Sequence, residues 1–229
     1  MKIFETKKLH YNKYLYKLDI GNALAAWFRT EFQKGQLQYI KDKLDECQKF
    51  YDDGEIIYRQ AFRAQVPISN QDFLDAKTIY KKLLLAEDYK IRVDSWHSLI
   101  IYSNDREFLT DIGSNIDAID VTFWEPKEEN IEILKNTKSI ILVDSEPEFK
   151  YKVIFNYKRV DPNFGNWLEK NNNNLIKVGK KTLNNVKSGY AFNNYIYVKT
   201  KKVLSLLNIM APNNIRSIEE LVCKHNIDK

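Results

Sequence analysis

The sequence predicts an α+β fold, with N-terminal helices and mostly antiparallel or mixed strands in the C-terminal part. Three observations lead there. Apolar side chains recur at helical spacing over residues 36–50 and again after Ser69. Two-residue alternation marks residues 89–93 and 149–158 as strands. Helix and strand signals also fail to alternate regularly, which argues against a doubly wound parallel sheet.

Taken in chain order, Tyr14, Tyr16 and Leu18 alternate with Lys13, Leu15 and Lys17, as in a strand. Gly21-Asn22 breaks that run, and residues 23–28 open a short helix. Leu37, Ile40, Leu44 and Cys47 form one stripe of a helix that the Tyr-Asp-Asp-Gly of 51–54 ends. Residues 56–66 give only a strand signal of mixed polarity. Ser69 is a helix N-cap with Asp72 three residues on, and Phe73, Ala76, Ile79, Tyr80 and Leu83 line the helix running to Ala86. The strands at 89–93 and 98–102 form a hairpin through Asp94-Ser95-Trp96-His97. Ser103 or Asn104 is expected to cap a short helix through Leu109. A strand over 116–124, a helix from Pro126 to about Asn136 and an internal strand over 138–143 follow.

The strongest strand is 149–158. Phe149, Tyr151, Val153, Phe155 and Tyr157 share one face as an aromatic core stripe, and Lys150, Lys152, Ile154, Asn156 and Lys158 share the other. Asn171 to Asn174 reads as a polar loop. Residues 190–198 are expected to form a hairpin turned by Asn193-Asn194. Residues 203–210 fit a helix or a strand, and 218–223 a short terminal helix. These signals divide the chain into a helix-rich region, 1–88, and a sheet-rich region, 89–229, with a basic C-terminal half. No Pro- or Gly-rich linker marks the boundary, so a single composite domain is equally compatible.

The 229 residues are ample for a substantial core. Two cysteines, Cys47 and Cys223, exclude a disulfide-rich scaffold and a four-thiolate zinc site. No apolar run approaches the roughly 20 residues that span a bilayer, and the opening residues lack the apolar core of a secretory signal. A soluble cytoplasmic protein without a membrane partner is expected. The 22 asparagines, with abundant Lys, Ile and Tyr, resemble the coding bias of an AT-rich genome. A phage or virus accessory protein, working in host cytoplasm, fits that bias.

The net charge of +5 is unevenly spread. Residues 104–149 carry 4 basic and 12 acidic side chains, whereas 150–216 carry 13 basic and only Asp161 and Glu169 as acids. A concentrated positive field attracts polyanions. The acidic stretch is either a separate face or a partial neutraliser of the basic one.

Lys150, Lys152, Lys158 and Arg159 lie on or beside the strong strand. Lys177, Lys180, Lys181 and Lys187 line the next polar segment, and Lys199, Lys201 and Lys202 follow the last hairpin signal. These are candidate phosphate contacts, which need no base sequence. Tyr190, Phe192, Tyr195 and Tyr197 are interleaved with that charge, and Tyr195 and Tyr197 are the candidate base-stacking residues. Arginine is confined here to Arg159 and Arg216, so base-edge readout is not indicated. The leading expectation is a non-enzymatic nucleic-acid-binding protein without cofactor. An assembly protein pairing complementary charged faces, as a homo-oligomer or with a protein partner, is the structural alternative.

The enzymatic alternative is narrower. His10, His97 and His225 have no metal-ligating spacing, and no phosphate loop, Rossmann fingerprint, nucleophile elbow or HExxH occurs. His97 beside Asp94 has acid-base potential but reads more simply as a hairpin residue. Glu148-Phe149-Lys150 has Glu-x-Lys spacing on a strand, with Asp120 28 residues earlier. This resembles the PD-(D/E)xK nucleases. The resemblance implies Asp120 and Glu148 holding Mg or Mn while Lys150 positions water; Asp120 lacks the family's Pro-Asp setting.

Overall fold

The computed structural model describes residues 1–29, 36–61, 63–94, 97–192 and 194–226. They form two compact units, Met1–Asn136 and Thr137–Lys229. Among the described residues, no helix is long and apolar enough to cross a membrane.

The first unit runs β1 (Lys2–Glu5), β2 (Tyr16–Gly21), a 3-10 turn (Ala25–Phe28), α1 (Gln36–Asp52), β3 (Ile57–Ala61), β4 (Ala64–Ile68) and α2 (Asn70–Leu85). It continues with β5 (Tyr89–Asp94), β6 (Ser98–Ser103), α3 (Arg106–Ser114), β7 (Val121–Glu125) and α4 (Glu128–Asn136). Its main sheet has the order β1-β7-β2-β6-β5, antiparallel except for the β1–β7 pair. Leu18 sits in register with Ile101 on one side and Phe123 on the other, and Ile101 with Ile91. That row is buried, as period-two alternation requires of a core face. Ile40, Leu44, Phe73, Ile79 and Leu83 of α1 and α2 are buried as the helical spacing predicts.

Ser69 caps α2 by accepting from the Asp72 amide at 3.0 Å, and its hydroxyl donates to Asp72 Oδ2 at 2.6 Å. Asp72 Oδ1 also accepts from the Ala23 amide at 3.0 Å, which ties the helix start to the segment after β2. The β5–β6 pairing is antiparallel, as expected. Ser95 and Trp96 of its turn lie outside the described residues.

Three local readings change. Residues 56–66 hold parts of two strands, β3 and β4, paired antiparallel. The α3 cap is Asp105, which accepts from the Phe108 amide at 2.9 Å, and not Ser103 or Asn104. Those two serve elsewhere: Ser103 Oγ accepts from the Asp105 amide, and Asn104 Oδ1 accepts from the Leu15 amide, both at 3.0 Å. The strand expected from Ile116 begins only at Val121.

His10 gives this unit a pH sensitivity. Its Nε2 is buried without a hydrogen-bond partner, and its ring lies 5.4 Å from that of Tyr102. Burial, then Lys17 and Lys8, hold its pKa at about 4. In the unfolded chain the imidazole titrates near 6.5, so between those values the unfolded state binds the extra proton. Stability therefore falls as pH drops through that window, by up to about 3 kcal/mol. The urea midpoint of wild type should fall more steeply than that of His10→Asn between pH 7 and 4.5. Parallel curves would refute the assignment.

The second unit runs β8 (Ile140–Val143), β9 (Tyr151–Phe155), α5 (Pro162–Lys170), β10 (Ile176–Val178), α6 (Lys180–Lys187), β11 (Tyr195–Val198), α7 (Lys201–Met210) and β12 (Ile215–Cys223). The sheet order is β10-β11-β9-β12-β8. Val153, Phe155, Ile196 and Val198 point inward and pack with Phe164, Leu168, Val186, Val203 and Leu207 of the three helices. The fold is mixed α+β, but α3 to α7 show that helices are not confined to the N-terminal part.

The expected terminal helix over 218–223 is instead part of β12, antiparallel to β9 and parallel to β8. Ile218, Leu221 and Val222 have helical spacing, but pairing with β9 up to Glu220 and with β8 from Glu220 onward gives the backbone its partners in strand form. The strand at 140–143 is at the sheet edge, not internal. Among the described residues, β11 pairs with β9 and β10 and not with 190–192; Tyr190 makes one isolated bridge to Arg159. Asn193 lies outside the described residues. Of the aromatic stripe, Phe149 precedes the strand, half-buried, and Tyr157 lies past its end at 70% exposure. The 203–210 segment resolves as helix α7, capped by Thr200.

Candidate functional site

The alternation that sends Val178, Ile196, Val198 and Val153 into the core sends their neighbours to the opposite face of the sheet. Lys177, Tyr197, Lys152 and Glu219 occupy one row across β10, β11, β9 and β12. Tyr195, two residues from Tyr197, pairs with Ile154 of β9. The two tyrosine rings meet edge to face with centroids 5.7 Å apart, and Lys152 Nζ lies 4.5 Å from the Tyr195 centroid. Tyr195 is 46% exposed, which leaves ring surface open to a ligand. Burial, then Tyr195 and Glu219, push the Tyr197 phenol above its ordinary value, so it stays neutral at physiological pH.

Beside these rings, β10 turns into α6 at Gly179, an N-cap without a side-chain oxygen. The first-turn amides of a helix have no intrahelical acceptor. Lys180 and Lys181 add positive charge at the positive end of the helix dipole, an arrangement that favours a bound anion. A cavity of about 470 Å3 opens here, lined by Lys177, Gly179, Lys181, Thr182, Asn194, Tyr195 and Tyr197 among others. Its buried floor is held by Thr182 Oγ1, which donates to Asn194 Oδ1 at 3.2 Å, and by Asn194 Nδ2, which donates to the Phe192 carbonyl at 2.9 Å. Lys177, Lys181, Tyr195 and Tyr197, four of the predicted contacts, thus meet at one cavity, with Lys152 against one of its rings.

Other predicted contacts are not gathered there. Lys150 pairs with Glu146 at 3.2 Å, Lys199 with Glu148 at 3.3 Å and Lys187 with Glu169 at 2.7 Å. Exposed pairs of this kind contribute about 0–1 kcal/mol to stability, but they lower the local positive field. The end of the acidic stretch therefore neutralises part of the basic one. Lys158 is exposed, and the Arg159 guanidinium lies 5.7 Å from the Tyr190 ring centroid. Lys180 is exposed on α6, and Lys201 and Lys202 are exposed at the start of α7.

The nuclease residues are placed differently from expectation. Glu148 and Lys150 lie in the irregular connection before β9, not on a strand, and each has an ion-pair partner. Asp120 belongs to the first unit, just before β7, at a cavity of about 370 Å3 with Asp72, Asp75, Asp117 and His97. Among the described residues, no three His, Cys, Asp or Glu side chains are grouped to hold a metal.

Gly179, Thr182 and Asn194 escaped the sequence reading. A Val-Gly-Lys-Lys-Thr run at the end of a short strand is the signal that could have found the first two. Asn194 has no such signal, because its role depends on Thr182 and Phe192.

Fold and site together define a two-unit α+β protein with a lysine- and tyrosine-lined cavity beside the five-stranded sheet of its second unit. No family model, no curated protein and no solved structure matches the chain.

Proposed function

We propose that the unit Thr137–Lys229 binds nucleic acid, with phosphate held by lysines and bases contacted by exposed aromatic rings. The observation that carries this reading is the meeting of Lys177, Lys181, Tyr195 and Tyr197 at one cavity beside the α6 start. Lysine charge supplies a sequence-independent phosphate term, and ring faces supply stacking that every base accepts.

The test is a salt titration of DNA and RNA binding by wild type and the Lys177→Ala/Lys181→Ala variant. Each phosphate contact contributes about 0.7–0.9 to the slope of log K against log salt. The variant should lose roughly 1.5 from that slope and bind about tenfold more weakly near physiological salt. Lys150→Ala, which removes a lysine already paired with Glu146, should change the slope far less. An unchanged slope in the double variant would sink the reading. Magnesium-dependent cleavage would move the assignment to the carboxylates, and absence of binding at low salt would make this a protein-facing surface.

A further inference from the structure

We infer that the nucleic acid is single-stranded and that it crosses a second stacking station formed by Tyr157, Phe192 and Tyr190. This rests on the nucleic-acid reading and names the form of polymer that site takes. Tyr157 is 70%, Tyr190 54% and Phe192 39% exposed, so each of these residues keeps surface in water. The Tyr157 and Phe192 centroids are 3.5 Å apart with planes tilted by 43°, and Arg159 lies over Tyr190. Lys158 is exposed between Tyr157 and Arg159 in sequence. Solvent-facing aromatics interleaved with cations match the chemistry of unpaired bases on a phosphate chain.

The station is held on the scaffold. The Val160 amide donates to the Gly189 carbonyl at 3.1 Å and the Phe155 amide to the Asn194 carbonyl at 3.0 Å, which joins the two loops that carry the rings. Asn194 links the stations, since its side chain donates to the Phe192 carbonyl and also floors the cavity at Tyr195. Phe192 and Tyr195 are three residues apart, so their Cα atoms lie at most about 11 Å from each other. One flexible strand of a few nucleotides spans that.

A duplex offers no free base faces, because its bases cover one another, whereas a single strand offers every face. Arginine for reading groove edges is scarce in this region, and lysine and aromatic side chains predominate. DNA and RNA single strands share the required chemistry, and the experiment separates them.

The full chain is titrated by fluorescence anisotropy with a short single-stranded DNA, the matching RNA, the blunt duplex, and an abasic strand of the same charge. Single strands should bind at least tenfold tighter than either the duplex or the abasic strand. Tyr157→Ala/Phe192→Ala should weaken single-strand binding about ten- to a hundredfold and leave the abasic strand unchanged. Tyr157→Trp supplies a second readout that does not depend on a truncated side chain: its fluorescence should be quenched by the single strand and not by the abasic one. Duplex binding as tight as single-strand binding, or an alanine variant that binds like wild type, overturns this inference. If Lys177→Ala/Lys181→Ala still weakens binding in that case, the nucleic-acid reading stands alone. If none of the four ligands binds at low salt, both fall.

Discussion

Phe155→Ala is expected to destabilise the second unit by about 3–5 kcal/mol. The ring is almost fully buried at the end of β9 and meets Phe164 edge to face at 5.9 Å; Phe164 in turn stacks on Trp167 at 6.2 Å. Truncation removes the ring's burial and leaves a void between sheet and helices, and neighbours tied into strand and helix backbones fill such voids only partly. Phe155→Leu retains most of the volume and should cost less than half as much. Chemical unfolding followed by a probe in this unit gives the difference directly. A loss below about 1 kcal/mol would mean the ring is not part of the core. The Phe155 backbone amide donates to the Asn194 carbonyl, a bond that alanine retains, so the loss reports the ring alone.

Gly165→Ala is the second large effect, and its sign is the informative part. Alanine replacing glycine inside a helix ordinarily stabilises by about 0.5–1 kcal/mol. At Gly165 an added Cβ would lie 2.8 Å from the Lys187 amide nitrogen, 2.9 Å from its Cα and 2.7 Å from its Cγ. Two of those atoms are backbone, so α5 and α6 must move apart and a rotamer change cannot relieve the clash. The expected net result is destabilisation of about 1–3 kcal/mol, read as a lower melting temperature. Stabilisation would show that the helix pair tolerates separation. Because α6 carries Lys181 and Thr182, binding should weaken together with stability.

Elements with a strong internal period were legible before any tertiary contact was known. α1, α2 and the β5–β6 pair appear close to where apolar spacing put them, and the Ser69 cap forms with the Asp72 partner read from spacing. Each depends on neighbours within a few residues, which is the range a sequence pattern reports. β12 departs from its local pattern for the complementary reason. Its apolar residues fit a helical period, and its strand conformation comes from two partners, of which β9 is some 60 residues distant in the chain.

The candidate site divides the same way. Residue types were visible as an excess of lysine over acid with tyrosines set among them. Their grouping was not: Lys177 comes from β10, Lys181 from α6, and Tyr195 and Tyr197 from β11. Nor was it visible that Lys199 would meet Glu148, 51 residues earlier. Tyr157 had the parity of a core residue, yet the strand ends at Phe155 and releases it to solvent.

By itself, then, the sequence determined the mixed α+β character, helices α1 and α2, the inward stripe of β9 and the basic composition of residues 150–216, but not α5 and α6. Those follow from local periodicity and side-chain chemistry. Tertiary structure alone decided strand order, which lysines are neutralised, which aromatics stay exposed and which residues share a cavity. The physical reason is range: propensity and amphipathicity act over one or two turns, whereas pairing, burial and charge neutralisation depend on residues that only folding brings together.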